Sequence, residues 1–304
     1  MKESKETILI SLLKKAKEGD VQSIARAITL VENDTETAWQ VLQNQSLSHT
    51  PIIGITGPPG VGKSTLTDGL IGEAVSKGLS VAVLCVDPSS PFHFGAVLGD
   101  RIRMNEWFTH PKVFIRSLGS RGALGGLNPN IIEITDLLKI APFQLILIET
   151  VGVGQSEVEI AGLADKTIIV LSPEGGDDIQ AMKSGIMEVA DILVVNKADR
   201  PGIELFVKHL RQMMAPAFFK NKKEIPIFQT VGTTRSGLNQ LFDACMADSM
   251  ESTERKARLL AEKAFYMIRR ERVKNISSET FYTQIFKEIK EGHFNLYRFI
   301  QTYI

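Results

Sequence analysis

The sequence predicts an α/β fold: a mostly parallel sheet covered by helices on both faces, with helical extensions at each end. Three observations carry this. Seven short apolar runs, IIGITG, VAVLCVD, KVFIRS, QLILIET, KTIIVLS, DILVVNKAD and IPIFQT, alternate with helical stretches from Ile52 onward. Continuous apolar runs separated by helices are the pattern of strands buried on both faces. A glycine-rich loop also stands between the first run and the first helical stretch, where parallel α/β sheets place their ligand sites.

Size and composition agree with a folded domain. The 304 residues are long enough for a substantial core, with hydrophobic residues at 43% and charged residues at 23%. The 35 basic and 35 acidic residues cancel, so no global positive field draws the chain to nucleic acid or to an anionic membrane, and neither partner is expected. Cys85 and Cys245 lie far apart and form no CxxC, as in a reducing compartment, and both read as buried small apolar residues. The first twenty residues scatter charges through their apolar positions and resemble neither a signal peptide nor a membrane span, which predicts a cytoplasmic location.

Three regions follow from the pattern. Residues 1–48 form a helical extension, with apolar positions Ile8, Leu12, Leu13 and Ala16, then Ile24, Ala27, Ile28 and Val31, broken at Gly19-Asp20 and near Asn33-Asp34. Residues 49–247 hold the alternating runs. Residues 248–304 carry two charged amphipathic stretches, ESTERKARLLAEKAFYMIRRERV and FYTQIFKEIKEGHFNLYRFI, which read as a helical cap or as an arm that packs on a second subunit. Arg269, Arg270 and Arg272 there read as a solvated helix face.

The strongest chemical signal is Gly57-Pro58-Pro59-Gly60-Val61-Gly62-Lys63-Ser64, followed by Thr65, between strand-like IIGIT and a helix. This is a GxxxxGK[ST] phosphate loop in the strand, loop and helix order that gives the pattern its meaning. Its glycines let backbone N–H groups surround phosphate oxygens, and the helix adds its positive N-terminal end. Lys63 would meet the β- and γ-phosphates, and the Ser64 hydroxyl would ligate Mg2+.

The base is read further along. Asn196-Lys197-Ala198-Asp199 ends a strand in the NKxD pattern of GTP-binding proteins. The Asp199 carboxylate would accept from the ring N1–H and the exocyclic amine of guanine, donors that adenine lacks in that arrangement. Asn196 would contact the base edge, Lys197 would pack across the nucleotide, and Val231 and Gly232 fall where a last base-contacting loop is placed. GTP and GDP are therefore the expected ligands.

Between these motifs, polar clusters close several strands. Asp87 ends VAVLCVD and is followed by Gly99-Asp100-Arg101-Ile-Arg103. Glu149 ends QLILIE and is followed by Gly152, whose N–H would approach the γ-phosphate. SPEGGDDIQAMKSG forms a third cluster. Ser64 with Asp87 or Asp100 near the metal, and Glu149 acting through a metal-bound water, is the expected magnesium set. One of the aspartates would orient the attacking water.

GPPGVGKS, VDPSSPF with LGDRIRM, FIRSLGSRGALGGL, ETVGVGQSE and GIMEVADILVVNKAD together resemble the methylmalonyl-CoA mutase-associated GTPases of the MeaB/ArgK type. The likeness runs from about Ile53 to Gly237. It implies a homodimeric P-loop GTPase of the signal-recognition-particle and MinD-like (SIMIBI) class, with a C-terminal dimerisation arm. It further implies a chaperone that binds an adenosylcobalamin-dependent acyl-CoA mutase and couples GTP binding and hydrolysis to cofactor loading, protection and reactivation. By position, Asp87 to Arg103 is similar to a first switch, Glu149 to Glu157 to a second and Gly175 to Lys183 to a third, with Lys183 relaying nucleotide state to the mutase. His93-Phe94 and Ala123 depart from the family pattern. A kinase linked to amino-acid transport would need a phosphoacceptor pocket, for which no motif is visible. A metallochaperone would need ligand clusters that five histidines and two separated cysteines do not supply.

Overall fold

The fold was analysed in a computed structural model, which describes residues 4–87, 104–120, 127–150, 152, 160–174, 190–213, 225–247, 253–273, 278–291 and 294–303. The chain divides into two compact units, residues 1–250 and 251–304.

Each of the seven apolar runs becomes a strand. They are β1 (Ile52–Thr56), β2 (Val81–Asp87), β3 (Val113–Gly119), β4 (Leu145–Glu149), β5 (Lys166–Leu171), β6 (Ile192–Val195) and β7 (Ile227–Gln229). All six pairings are parallel, in the order β3-β2-β4-β1-β5-β6-β7. Strands β1, β2, β4 and β6 are buried at every residue, while β7 at the edge is half-buried. That difference matches the runs themselves, since a central strand meets helices on both faces and an edge strand does not.

Two aspartates start strands in the same way. Asp165 Oδ2 accepts from Ile52 N at 2.7 Å and Asp191 Oδ2 accepts from Thr167 N at 2.9 Å, so each satisfies an N–H at the start of the neighbouring strand.

Helix α4 (Lys63–Ser76) follows the phosphate loop directly. Its Leu66, Leu70 and Ile71 join Ile53, Ile55, Val83, Cys85, Leu147, Ile168 and Val170 in the main core cluster. The residues Ile55, Cys85 and Glu149 share one register row, so the α4 face of the sheet is also the face on which Glu149 lies.

The N-terminal residues form α1 (Lys5–Lys17), α2 (Val21–Asn33) and α3 (Thr35–Leu42). Ser4, Asp20 and Asp34 cap them, each side chain accepting from a backbone N–H three residues on. Both predicted breaks are present. The phase of α1 differs from expectation: Leu9, Leu13 and Ala16 are buried, whereas Ile8 is exposed and Leu12 half-buried. Five apolar residues crowd positions 8 to 13, and the helices they meet select which stripe is covered. Helices α2 and α3 pack on α5 (Ile131–Leu138), where Trp39 Nε1 donates to the buried Glu133 at 2.6 Å. Arg116 of β3 is taken up by the same layer, pairing with Glu32 at 2.9 Å.

Helices α6 (Ile203–Met213) and α7 (Leu238–Met246) complete the first unit. The second unit contains α8 (Thr253–Val273), α9 (Ser278–Lys290) and α10 (Leu296–Gln301), with Phe281, Phe294 and Tyr303 ringed around the buried Phe299. No helix among the described residues is long and apolar enough to cross a membrane.

Candidate nucleotide site

The phosphate loop leaves β1 in the middle of the sheet, between β4 and β5. Its last glycine, Gly62, caps α4 in a left-handed conformation (φ +94), and a β-carbon there would sit 2.4 Å from the Asn196 amide nitrogen. A side chain is therefore excluded by conformation and by space. The Lys63 ammonium is buried in the loop, donating to the carbonyls of Gly57 at 2.9 Å and Pro58 at 3.0 Å. Pro59 and Gly60 form the exposed crest, and Val61 turns inward to the core.

Beside the loop the strand ends supply oxygen. Ser64 Oγ donates to Glu149 Oε1 at 2.6 Å, and both residues are buried. Asp87, two residues past the register partner of Glu149, is buried at the end of β2 on the same sheet face. Thr150 donates to Thr56 at 2.8 Å and ties the β4 and β1 ends together. A hydroxyl and two carboxylates, all oxygen donors and all buried, suit a hard divalent cation that takes few carboxylates directly and keeps room for water and phosphate. No cluster of three or more His, Cys, Asp or Glu side chains able to hold a metal occurs among the described residues.

Gly152 lies against this group with φ +79, and a β-carbon on it would stand 2.3 Å from the Gly57 carbonyl and 2.4 Å from the Lys63 ammonium. Its backbone thus approaches the phosphate loop closely. Asp100, most of the first and second switch segments, the third with Lys183, and His93, Phe94 and Ala123 lie outside the described residues.

The residues expected to read the base lie at the ends of β6 and β7. Asn196 is buried and acts as a three-way fastener. Its Nδ2 donates to the Val61 carbonyl at 2.9 Å, and its Oδ1 accepts from Thr230 Oγ1 and Gly232 N, both at 3.1 Å. The phosphate loop and the loops that follow β6 and β7 are thereby tied together. Thr65 packs beneath Gly232. Lys197 adopts a left-handed backbone (φ +57) and pairs with Glu174, while Asp199 is exposed. Val231 bridges back to Ser236 and closes the last loop.

A polar network not expected from the sequence flanks this loop. Arg235, also left-handed (φ +60), pairs with Glu106 at 2.9 Å and lies 3.8 Å from Asp68, whose other oxygen accepts from Trp107 Nε1 at 2.7 Å. Burial pushes the Asp68 carboxyl above its usual value, and the indole hydrogen bond partly offsets that. No local periodicity signals such a cluster, because its members come from three separate elements.

The comparisons with known proteins agree with this geometry. The family model described as methylmalonyl Co-A mutase-associated GTPase MeaB matches residues 24–285. A protein of Pyrococcus abyssi (strain GE5 / Orsay) that is named as a GTPase is 42% identical over 288 residues, covering 93% of this chain and 88% of its own. The fused isobutyryl-CoA mutase of Geobacillus kaustophilus (strain HTA426) is 34% identical over 255 residues, 78% of this chain but 23% of that protein. A crystal structure of a LAO/AO transport system kinase superposes with a TM-score of 0.64, covering 98% of this chain and 96% of its own at 23% identity, a likeness of fold. With its phosphate loop, NKxD loop and parallel sheet in place, the chain is a P-loop GTPase that belongs to the methylmalonyl Co-A mutase-associated GTPase (MeaB) family.

Proposed function

We propose that this chain is a magnesium-dependent GTPase that serves an adenosylcobalamin-dependent acyl-CoA mutase, coupling GTP binding and hydrolysis to loading, protection or reactivation of the mutase. The observation that carries the chemistry is the buried Ser64–Glu149 pair beside the phosphate loop. The client reading is supported by the family description and by the relative in which a matching segment occurs within a fused isobutyryl-CoA mutase.

In this reading the loop amides and the N-terminus of α4 bind the phosphates, and the Lys63 ammonium, fixed at the loop centre, offsets their charge. Ser64 and Asp87, with Glu149 as the partner that orients the Ser64 hydroxyl, would hold Mg2+, which when bound neutralises charge on the β- and γ-phosphate oxygens. Asp100 remains a candidate beside them. Gly152 places its backbone against the phosphate loop, Asp199 accepts from the guanine edge, and Lys197, Val231 and Gly232 border the base. Asn196 keeps these parts in register.

The second unit supports a homodimer in the same reading. Helix α8 exposes Leu260, Phe265 and Ile268, and α9 exposes Tyr282, Phe286 and Ile289 at helical spacing. Apolar stripes of that kind suit a helix-to-helix contact with a second copy. Residues 1–48, 49–247 and 248–304 then serve as helical extension, GTPase domain and dimerisation arm of a cytoplasmic protein.

The test is affinity capture from native cytosol with the protein loaded with GDP or with a non-hydrolysable GTP analogue. Recovery of a B12-dependent mutase, stronger in one nucleotide state, is the expected result. Capture of no B12 enzyme in either state overturns the client assignment.

A further inference from the structure

Ser172, Pro173 and Glu174 carry the chain off the end of β5, next to the end of β6, where the Asn196–Asp199 loop begins. Glu174 reaches across that gap. Its Oε2 accepts from Lys197 Nζ at 2.8 Å, and its Oε1 lies 3.1 Å from Arg200 Nε. One carboxylate thus holds two cations of a single loop.

The loop it holds is built against ordinary preference. Lys197 sits at φ +57, where a residue with a β-carbon rarely rests unless its surroundings impose it. Asn196 N donates to Leu171 O at 2.8 Å, Ala198 N to Thr230 O at 3.0 Å and Arg200 N to Lys197 O at 3.0 Å, which sets the backbone. These bonds leave the long Lys197 stem to be placed by its ammonium, and that group is the one Glu174 grips. The hydrogen bond from Lys197 holds the Glu174 carboxyl below its usual value. Slight burial opposes this, while the Lys197 and Arg200 charges add to it, so the carboxylate is ionised at neutral pH.

We infer that Glu174 is a positioning residue for guanine nucleotide binding: it fixes the Lys197 ammonium so that the methylene stem is laid out to border the base before the nucleotide arrives. The inference rests on the reading of Asn196–Asp199 as the base loop. A lysine stem free in solvent samples many rotamers, and a clamp that removes this freedom in advance lowers what binding must order. An ion pair between half-exposed groups contributes little to folding, so the effect belongs to ligand affinity and not to stability.

The experiment titrates the full-length protein with GDP in the presence of Mg2+, comparing wild type, Glu174→Ala, Lys197→Ala and the double variant, with GTP turnover measured in parallel. Glu174→Ala is expected to weaken GDP binding about fivefold and raise KM for GTP by a similar factor, with kcat within about twofold and an unchanged melting temperature. The double variant is expected to bind as Lys197→Ala alone does, because the two residues act as one unit. Wild-type GDP affinity in Glu174→Ala, or losses that multiply in the double variant, overturns the clamp. If Lys197→Ala itself binds GDP as wild type does, the base-loop reading falls, and the clamp with it.

Discussion

The Ser64 hydroxyl donates to Glu149 Oε1 across 2.6 Å, joining the first turn of α4 to the end of β4. Both side chains are buried, and their strands and helix meet at the centre of a seven-stranded sheet. A hydroxyl oriented by a carboxylate beside a phosphate loop has the chemistry that the proposed magnesium site requires. The proximity follows from strand order, since β4 is inserted beside β1 although 88 residues separate the end of β1 at Thr56 from the start of β4 at Leu145 along the chain.

Lys63→Ala should lower GTP turnover at least about 100-fold, because it removes an ammonium buried against the phosphate loop. Circular dichroism should show the wild-type fold. Hydrolysis that persists within about tenfold of wild type would remove Lys63 from the chemistry.

Asp199→Asn should weaken GDP binding by about 10- to 100-fold, since a carboxylate that accepts two guanine donors is replaced by an amide with one acceptor and a mismatched donor. The same variant should gain affinity for xanthosine diphosphate, whose base presents an acceptor at that edge. Calorimetric titration of both nucleotides reads the exchange, and unchanged GDP affinity would place base recognition elsewhere.

Gly152→Ala should impair turnover and cost about 1–3 kcal/mol, because φ +79 is strained for alanine and the added methyl meets the Gly57 carbonyl at 2.3 Å. Thermal melts with matched activity assays test it. A variant as stable and active as wild type would show that the close approach to the loop is dispensable.

Asp34 ends α2, caps α3 and pairs with Lys5 at 2.8 Å, so its carboxyl is held below 3.8, first by the hydrogen bond from Lys5 and then by that from Thr37 N. A lowered native value means that its contribution is present above pH 3.8 and is lost as pH falls through the native value. Asp34→Ala should therefore cost about 0.5–2 kcal/mol at pH 7, and the gap between variant and wild type should shrink in melts at pH 3.

Much of this was legible in the residues. Seven apolar runs became seven strands because a strand buried on both faces leaves a continuous signature, and the Gly57–Ser64 loop is recognisable from flanking elements alone. Helix α1 was harder: Ile8, Leu9, Ile10, Leu12 and Leu13 satisfy more than one stripe, and only the helices packed against them decide that Leu9 is covered. Glu174 and Arg235 were hidden for another reason. Each acts on partners that the sheet order brings near, and no local period encodes a pair such as Glu174 with Lys197 or Arg235 with Glu106. Asn196 stands out in the sequence as part of the NKxD pattern, but its task of fastening Val61 to Gly232 emerges only once three strand ends are assembled.

The central claim is that Ser64 and Glu149 belong to a magnesium site serving a guanine nucleotide. The direct measurement is GTP turnover as a function of Mg2+ concentration for wild type and Glu149→Gln. The account predicts no turnover with chelator present and a variant whose half-maximal Mg2+ requirement rises at least about tenfold. Turnover independent of Mg2+, or an identical requirement in the variant, would contradict it.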